Sequence, residues 1–203
     1  MRTVPDGSDR RPSPRVFPAQ PGRAAVVIAA FTGLLYVAEA VDTVLGGALD
    51  GGGIRPREVD GLDGVLWAPL LHAGWQHLVA NTVPVLLLGF LALAGGLRQF
   101  IVVTATVWVV GGLGTWLIAG GGIHIGASVL VFGWMAFLLV RGFYARSAGQ
   151  ITLAVMLFFF WNGMLWGVLP GTPGVSWQGH LFGALGGLLA ARLVAGADRT
   201  RVS

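Results

Sequence analysis

Ser128 and His180 are the side chains whose types and positions could do chemistry together. A serine hydroxyl becomes a nucleophile when an adjacent imidazole takes its proton. Ser128 follows Gly126-Ala127, His180 follows Gly179, and the two lie on separate apolar stretches, each closed by an arginine. Ser128 stands 13 residues before Arg141, and His180 stands 12 before Arg192. At a helical rise of ~1.5 Å per residue these are roughly 20 and 18 Å, so the two groups reach nearly the same height. A second set is His72, His77 and Asn81. His77 and Asn81 are four apart and share one helix face, from which both could donate to a developing oxyanion.

Each residue also has a plain reading. A lone serine in a span is first a small residue that lets helices pack closely, and His77 with Asn81 could be an interhelical hydrogen-bond pair. A histidine in a span can simply bond a backbone carbonyl, although an intramembrane ionisable group is a functional hypothesis by default. Two features favour chemistry at Ser128. The glycine-rich backbone before it, Gly120-Gly121-Gly122 and then Gly126, could expose the hydroxyl, and a helix N-terminus there offers free N–H groups. Gly179, Gly183 and Gly187 repeat every four residues, which lets this helix approach a neighbour very closely. Glu39 and Asp42 near the outer end of the first apolar stretch read as anchors hydrogen-bonded to the outer loop. His124 reads as an ordinary loop residue, and Trp67, Trp75 and Trp177 as an outer aromatic belt.

These residues need membrane helices to hold them. The 203-residue chain is 55% hydrophobic and 11% charged, with mean hydropathy +0.75; a soluble domain carries about a quarter charged residues. Apolar runs at 24–45, 75–97, 99–119, 126–141, 151–169 and 178–196 predict six spans. They lack the alternation of barrel strands, so the expected fold is an all-α polytopic membrane protein, a six-helix bundle. Residues 1–23, rich in Pro, Arg and Ser, are expected to be a disordered cytoplasmic tail. Residues 24–196 form the membrane domain and 197–203 a short cytoplasmic C-terminal tail. No small-residue cleavage site follows a short apolar run, so the first stretch reads as an uncleaved anchor.

All 13 basic residues are arginine, and eleven fall on one side of the predicted bundle; Arg55 and Arg57, in the long loop after the first span, are the exceptions. The positive-inside rule then puts both termini in the cytoplasm and turns His72, His77, His124 and His180 outward. The sequence pI of 11.0 does not imply nucleic acid as a partner, because the arginines are scattered over loops. Without cysteine there is no thiol nucleophile and no thiolate metal site. HExxH is absent, and His72 and His77 are five apart and diverge on a helix, so neither a metal nor a cofactor is expected. No aspartate pair lies at mid-membrane for an aspartyl mechanism.

Taken in order, HxxxxHxxxN (His72, His77, Asn81), GxSx (Gly126 to Val129, with Gly133 following) and HxxGxxxG (His180, Gly183, Gly187) resemble the motifs of the rhomboid family of intramembrane serine proteases. The resemblance covers the chain from the outer loop to the end of the sixth span. It implies a Ser128–His180 dyad without a third carboxylate, and an oxyanion hole made by His77, Asn81 and the Ser128 backbone N–H. His72 would be structural, with Gly126, Phe132, Gly183 and Gly187 near the site. It implies substrates that are single-span membrane proteins cut near the outer end of their span, and a lateral gate at the fifth span, Leu157-Phe158-Phe159-Phe160-Trp161. The expected location is a cell membrane, with the active site open to the extracytoplasmic side. Val129 stands where many members have glycine and is expected to crowd the oxyanion hole or stiffen its backbone. Phe132 stands where a tyrosine is common, and the Trp-Arg pair of the first outer loop is missing near Asp63 and Gly64. The rival readings are an inactive rhomboid-like protein that binds membrane-protein clients, and a channel or transporter. The latter would show inverted-repeat halves or mid-membrane charges, and the sequence has neither.

Overall fold

A computed structural model describes residues 14–200, with side chains as far as residue 195. The described residues form helices without a strand: α1 (Pro21–Val44), a four-residue α2 (Gly64–Trp67), α3 (Trp75–Ala92), α4 (Leu97–Ile118), α5 (Ser128–Ala145), α6 (Ala148–Leu165) and α7 (Trp177–Thr200), with short 3-10 turns between them. Apart from α2 these match the six predicted spans. Five of them, α1, α3, α4, α5 and α6, are long and apolar enough to cross a membrane. α7 is as long as α1 and carries Gln178, His180 and Arg192 along its length.

α1 begins at Pro21, whose fixed φ suits a first helical position. It buries one stripe, Ala24, Ile28, Thr32, Leu35, Glu39 and Asp42, at the three- and four-residue spacing of a single helix face. α5 lies at the centre, burying Leu130 through Leu138 without a break. α7 packs most extensively against it and nearly as extensively against α4, while α6, α3 and α4 make smaller contacts with it.

The parallel seam between α5 and α7 is made of backbone. A Cβ at Gly183 would collide with the carbonyl of Val129, and one at Gly187 with the carbonyl of Gly133. The contact advances four residues on each helix, so the two axes stay in register for at least a turn. Small residues in membranes permit such approach, where van der Waals packing and not hydrophobic exclusion drives association. At the arginine-bearing end Arg192 Nε donates to Tyr144 Oη at 3.1 Å, linking the same two helices.

Three expectations need amendment. Residues 1–13 of the tail lie outside the described residues, but 14–20 pack against the bundle and α1 starts three residues before the expected boundary. The Arg15 carbonyl accepts from Gln150 Nε2 at 2.9 Å, and the Val16 carbonyl accepts from Arg141 Nη2 at 3.4 Å. Arg141 is buried, its guanidinium 5.6 Å from the Phe137 ring. At the other end α7 continues through Thr200, into the stretch expected as a tail.

Candidate active site

Ser128 is the first residue of α5 and His180 lies in the first turn of α7. Their side chains meet: His180 Nε2 is 2.9 Å from Ser128 Oγ. The register of the glycine seam explains the meeting, because Val129 and Gly183 touch one residue and three residues further down their helices. On the far side of the ring, Nδ1 is 2.9 Å from the Gly167 carbonyl in the turn after α6. A carbonyl can only accept, so Nδ1 carries the proton and Nε2 presents its lone pair to the serine. Phe132, one turn below Ser128, stacks on the imidazole with centroids 4.0 Å apart and planes at 10°. The ring is thus fixed at both nitrogens and on one face.

The approach to Ser128 is shaped by Gly126, which has φ +127°, a conformation that disfavours any side chain. A Cβ there would sit 2.7 Å from His77 Cε1, 2.9 Å from His77 Nε2 and 3.6 Å from Ser128 Oγ. The space beside Gly126 therefore lies between the serine oxygen and the His77 ring. The Ala73 N–H points to His77 Nδ1 at 3.4 Å, leaving Nε2 as the protonated nitrogen that faces this space. Asn81 is buried and donates Nδ2 to the His77 carbonyl at 3.0 Å; its amide has a second N–H. α5 has no side-chain cap; Leu130 and Val131 donate to the Ala127 carbonyl, which leaves the Ser128 and Val129 N–H groups to bond a ligand.

His72 is 2% exposed. Its Nε2 accepts from the Ala127 N–H at 3.3 Å, and its ring lies edge-on to His77 at 5.1 Å. Burial, with a smaller contribution from His77, lowers its pKa to about 4. A neutral His72 thus ties the outer loop to the residue before the serine.

Two other expectations were only partly right. Val129 turns its Cγ2 into the helix seam, against Gly111 and Gly183, and also lines the cavity beside Ser128. Asp42 accepts from the Leu49 N–H at 2.6 Å, as an anchor of the outer loop should, but Glu39 Oε2 is buried with no partner among the described residues. Trp67 and Trp75 are about half exposed.

The sequence reading missed three groups. His124 is no ordinary loop residue: its Nδ1 is 2.7 Å from Ser176 Oγ, its Nε2 is 3.2 Å from the Gly120 carbonyl, and its backbone pairs with Ile54. Ser176 in turn accepts from the Gly179 N–H at 3.3 Å, capping α7 directly ahead of His180. A serine just before a helix is a legible capping signal. The Gly167 carbonyl has no such signal, since every residue carries one. Ser128, Thr115, His124 and Ser176 also line a cavity of about 20 Å³, enough for roughly one water.

With this geometry in view, the comparison with known proteins is direct. The rhomboid domain matches residues 62–197, and the chain belongs to the rhomboid family, as a multi-pass membrane protein. It is 49% identical to uncharacterized protein Rv1337 of Mycobacterium tuberculosis, over 85% of this chain and 75% of that protein. It is also 49% identical to uncharacterized protein ML1171 of Mycobacterium leprae, over 86% and 72% respectively.

Proposed function

We propose that this chain is an intramembrane serine endopeptidase that cuts single-span membrane proteins near the outer end of their span. The observation that carries the reading is the 2.9 Å contact between Ser128 Oγ and His180 Nε2, with Nδ1 held by the Gly167 carbonyl. His180 Nε2 takes the Ser128 proton as Oγ attacks the scissile carbonyl carbon. The negative oxygen that forms enters the space beside Gly126, where His77 Nε2, Asn81 and the Ser128 N–H donate to it. His180 then passes its proton to the leaving nitrogen, the C–N bond breaks, and an acyl-serine remains. A water, deprotonated by His180 Nε2, attacks the ester carbon; the C–O bond breaks and His180 returns the proton to Ser128 Oγ. A backbone carbonyl does the orienting that a carboxylate does in a triad.

α6 is the proposed entrance, since it packs against α5 and the turn after it and exposes Phe158, Phe159 and Phe160. Trp161, at φ −122° and ψ 17°, breaks its helical geometry. Arginine placement supports cytoplasmic termini, a site open to the extracytoplasmic side, and residence in a cell membrane.

The test is cleavage of a fluorescent single-span substrate by the purified chain in liposomes. Wild type is expected to cut it, with Ser128→Ala and His180→Ala reduced to background. Cleavage that survives Ser128→Ala would overturn the mechanism. A wild type that binds such substrates and leaves them intact would favour the client-binding reading.

A further inference from the structure

A cavity near the arginine-rich end is lined by none of the residues around Ser128 and plays no part in the chemistry above. It measures about 290 Å³ and opens where the segment before α1 and the first turns of α1 meet the turn between α3 and α4. Its lining has two characters. Arg15, Gln20 and Arg23 supply a polar side, and Val27 and Leu97, among others, an apolar one. Arg23 Nη1 donates to Gln20 Oε1 at 2.8 Å, which steadies that guanidinium. The backbone of Arg15 is fixed by the bond from Gln150 Nε2 to its carbonyl. Leu97 is 54% exposed, so the apolar side runs out onto the surface that faces lipid.

We propose that this cavity binds an anionic phospholipid of the cytoplasmic leaflet, with its phosphodiester at Arg15 and Arg23 and an acyl chain along Val27 and Leu97. Guanidinium groups match phosphate oxygens in charge and fork geometry. An apolar wall continuous with the bilayer suits a ligand that is half hydrocarbon, whereas a soluble phosphate would leave that wall unused. Basic pockets among helices on the cytoplasmic side are where anionic headgroups bind. The inference rests on the membrane fold and arginine placement, and is independent of proteolysis.

The test is native mass spectrometry of the full-length chain in an uncharged detergent, with phosphatidylglycerol and phosphatidylcholine of identical acyl chains. Wild type is expected to retain phosphatidylglycerol over phosphatidylcholine by roughly 30-fold, about five-fold per arginine. Arg15→Gln with Arg23→Gln should bring the two lipids close to parity. Arg98→Gln with Arg146→Gln, on the same end but outside the cavity, should keep the preference. Equal retention of both lipids by wild type would overturn the proposal, and that comparison needs no variant. An undiminished preference in the Arg15/Arg23 double variant would do the same. Displacement of phosphatidylglycerol by millimolar inorganic phosphate would reassign the cavity to a soluble anion.

Discussion

α7 and α6 both lie against α5, and they do so by opposite means. α7 brings glycine backbone onto the carbonyls of Val129 and Gly133, while α6 buries only Gln150, Ala154 and Leu157 and turns its phenylalanines outward. Close backbone contact has few alternative arrangements, so α7 fixes a distance, that between His180 and Ser128. Loosely packed bulky side chains have many, so α6 suits an element that yields to an incoming helix. On the proposed reading, one bundle thereby holds a fixed Ser128–His180 pair beside a more loosely packed wall. The turn after α6 joins the two, because its Gly167 carbonyl orients the imidazole on α7.

The seam is where the comparison breaks most completely. Gly183→Val should force α7 away from the Val129 carbonyl and part the dyad. Misplacement by about 1 Å can cost ~100-fold, so kcat/KM on the liposome substrate should fall at least that far. Overpacking of this kind typically costs roughly 1–3 kcal/mol, visible as a lower Tm. Unchanged activity in Gly183→Val would mean that the seam does not set the site. Gly126→Ala comes next, since a methyl there is strained by φ +127° and abuts His77. The expected loss is on the order of 10- to 100-fold, mainly in kcat, because the oxyanion space is occupied and the dyad is untouched. A rise in KM alone would place that space elsewhere.

The link through His72 sharpens the rigid side by its pH dependence. The unfolded chain binds a proton at this histidine near pH 6.5, whereas the folded one does so only near 4. Between these values the unfolded state holds more protons, so the contribution of His72 is complete above pH 6.5 and is lost as pH falls toward 4. Thermal unfolding in detergent should show Tm dropping across that window, with a shallower slope in His72→Gln. Identical slopes would remove His72 from the account. The smallest effects belong to α6. Phe159→Ala, at a side chain 72% exposed, should leave Tm within experimental scatter and change cleavage of a spanning substrate by a few-fold, with little effect on a short soluble peptide. Equal changes on both substrates would argue against α6 as the entrance.

Much of this was legible in the sequence because membranes impose simple rules. Apolar length gave the helices, arginines marked one end, and residue counts from those arginines brought Ser128 and His180 to the same height. The glycines at 179, 183 and 187 announced a close helix contact. What stayed hidden depends on long-range backbone geometry. Nothing in residue types says that the Gly167 carbonyl would reach His180 Nδ1, or that Val129 would turn into the seam. Residues 14–20 read as tail because they carry two prolines and no long apolar run, yet two of their carbonyls accept from buried Gln150 and Arg141. Composition reports what a segment could bury, and is silent about backbone groups used as partners.

The central claim is that α7 delivers His180 to Ser128 as a base. The most direct measurement is the rate at which a fluorophosphonate labels the purified protein, with the modified residue located by mass spectrometry. Wild type should label at Ser128, and His180→Ala should label at least ~100-fold more slowly. Absence of labelling in wild type, or labelling of Ser128 at the wild-type rate in His180→Ala, would contradict it.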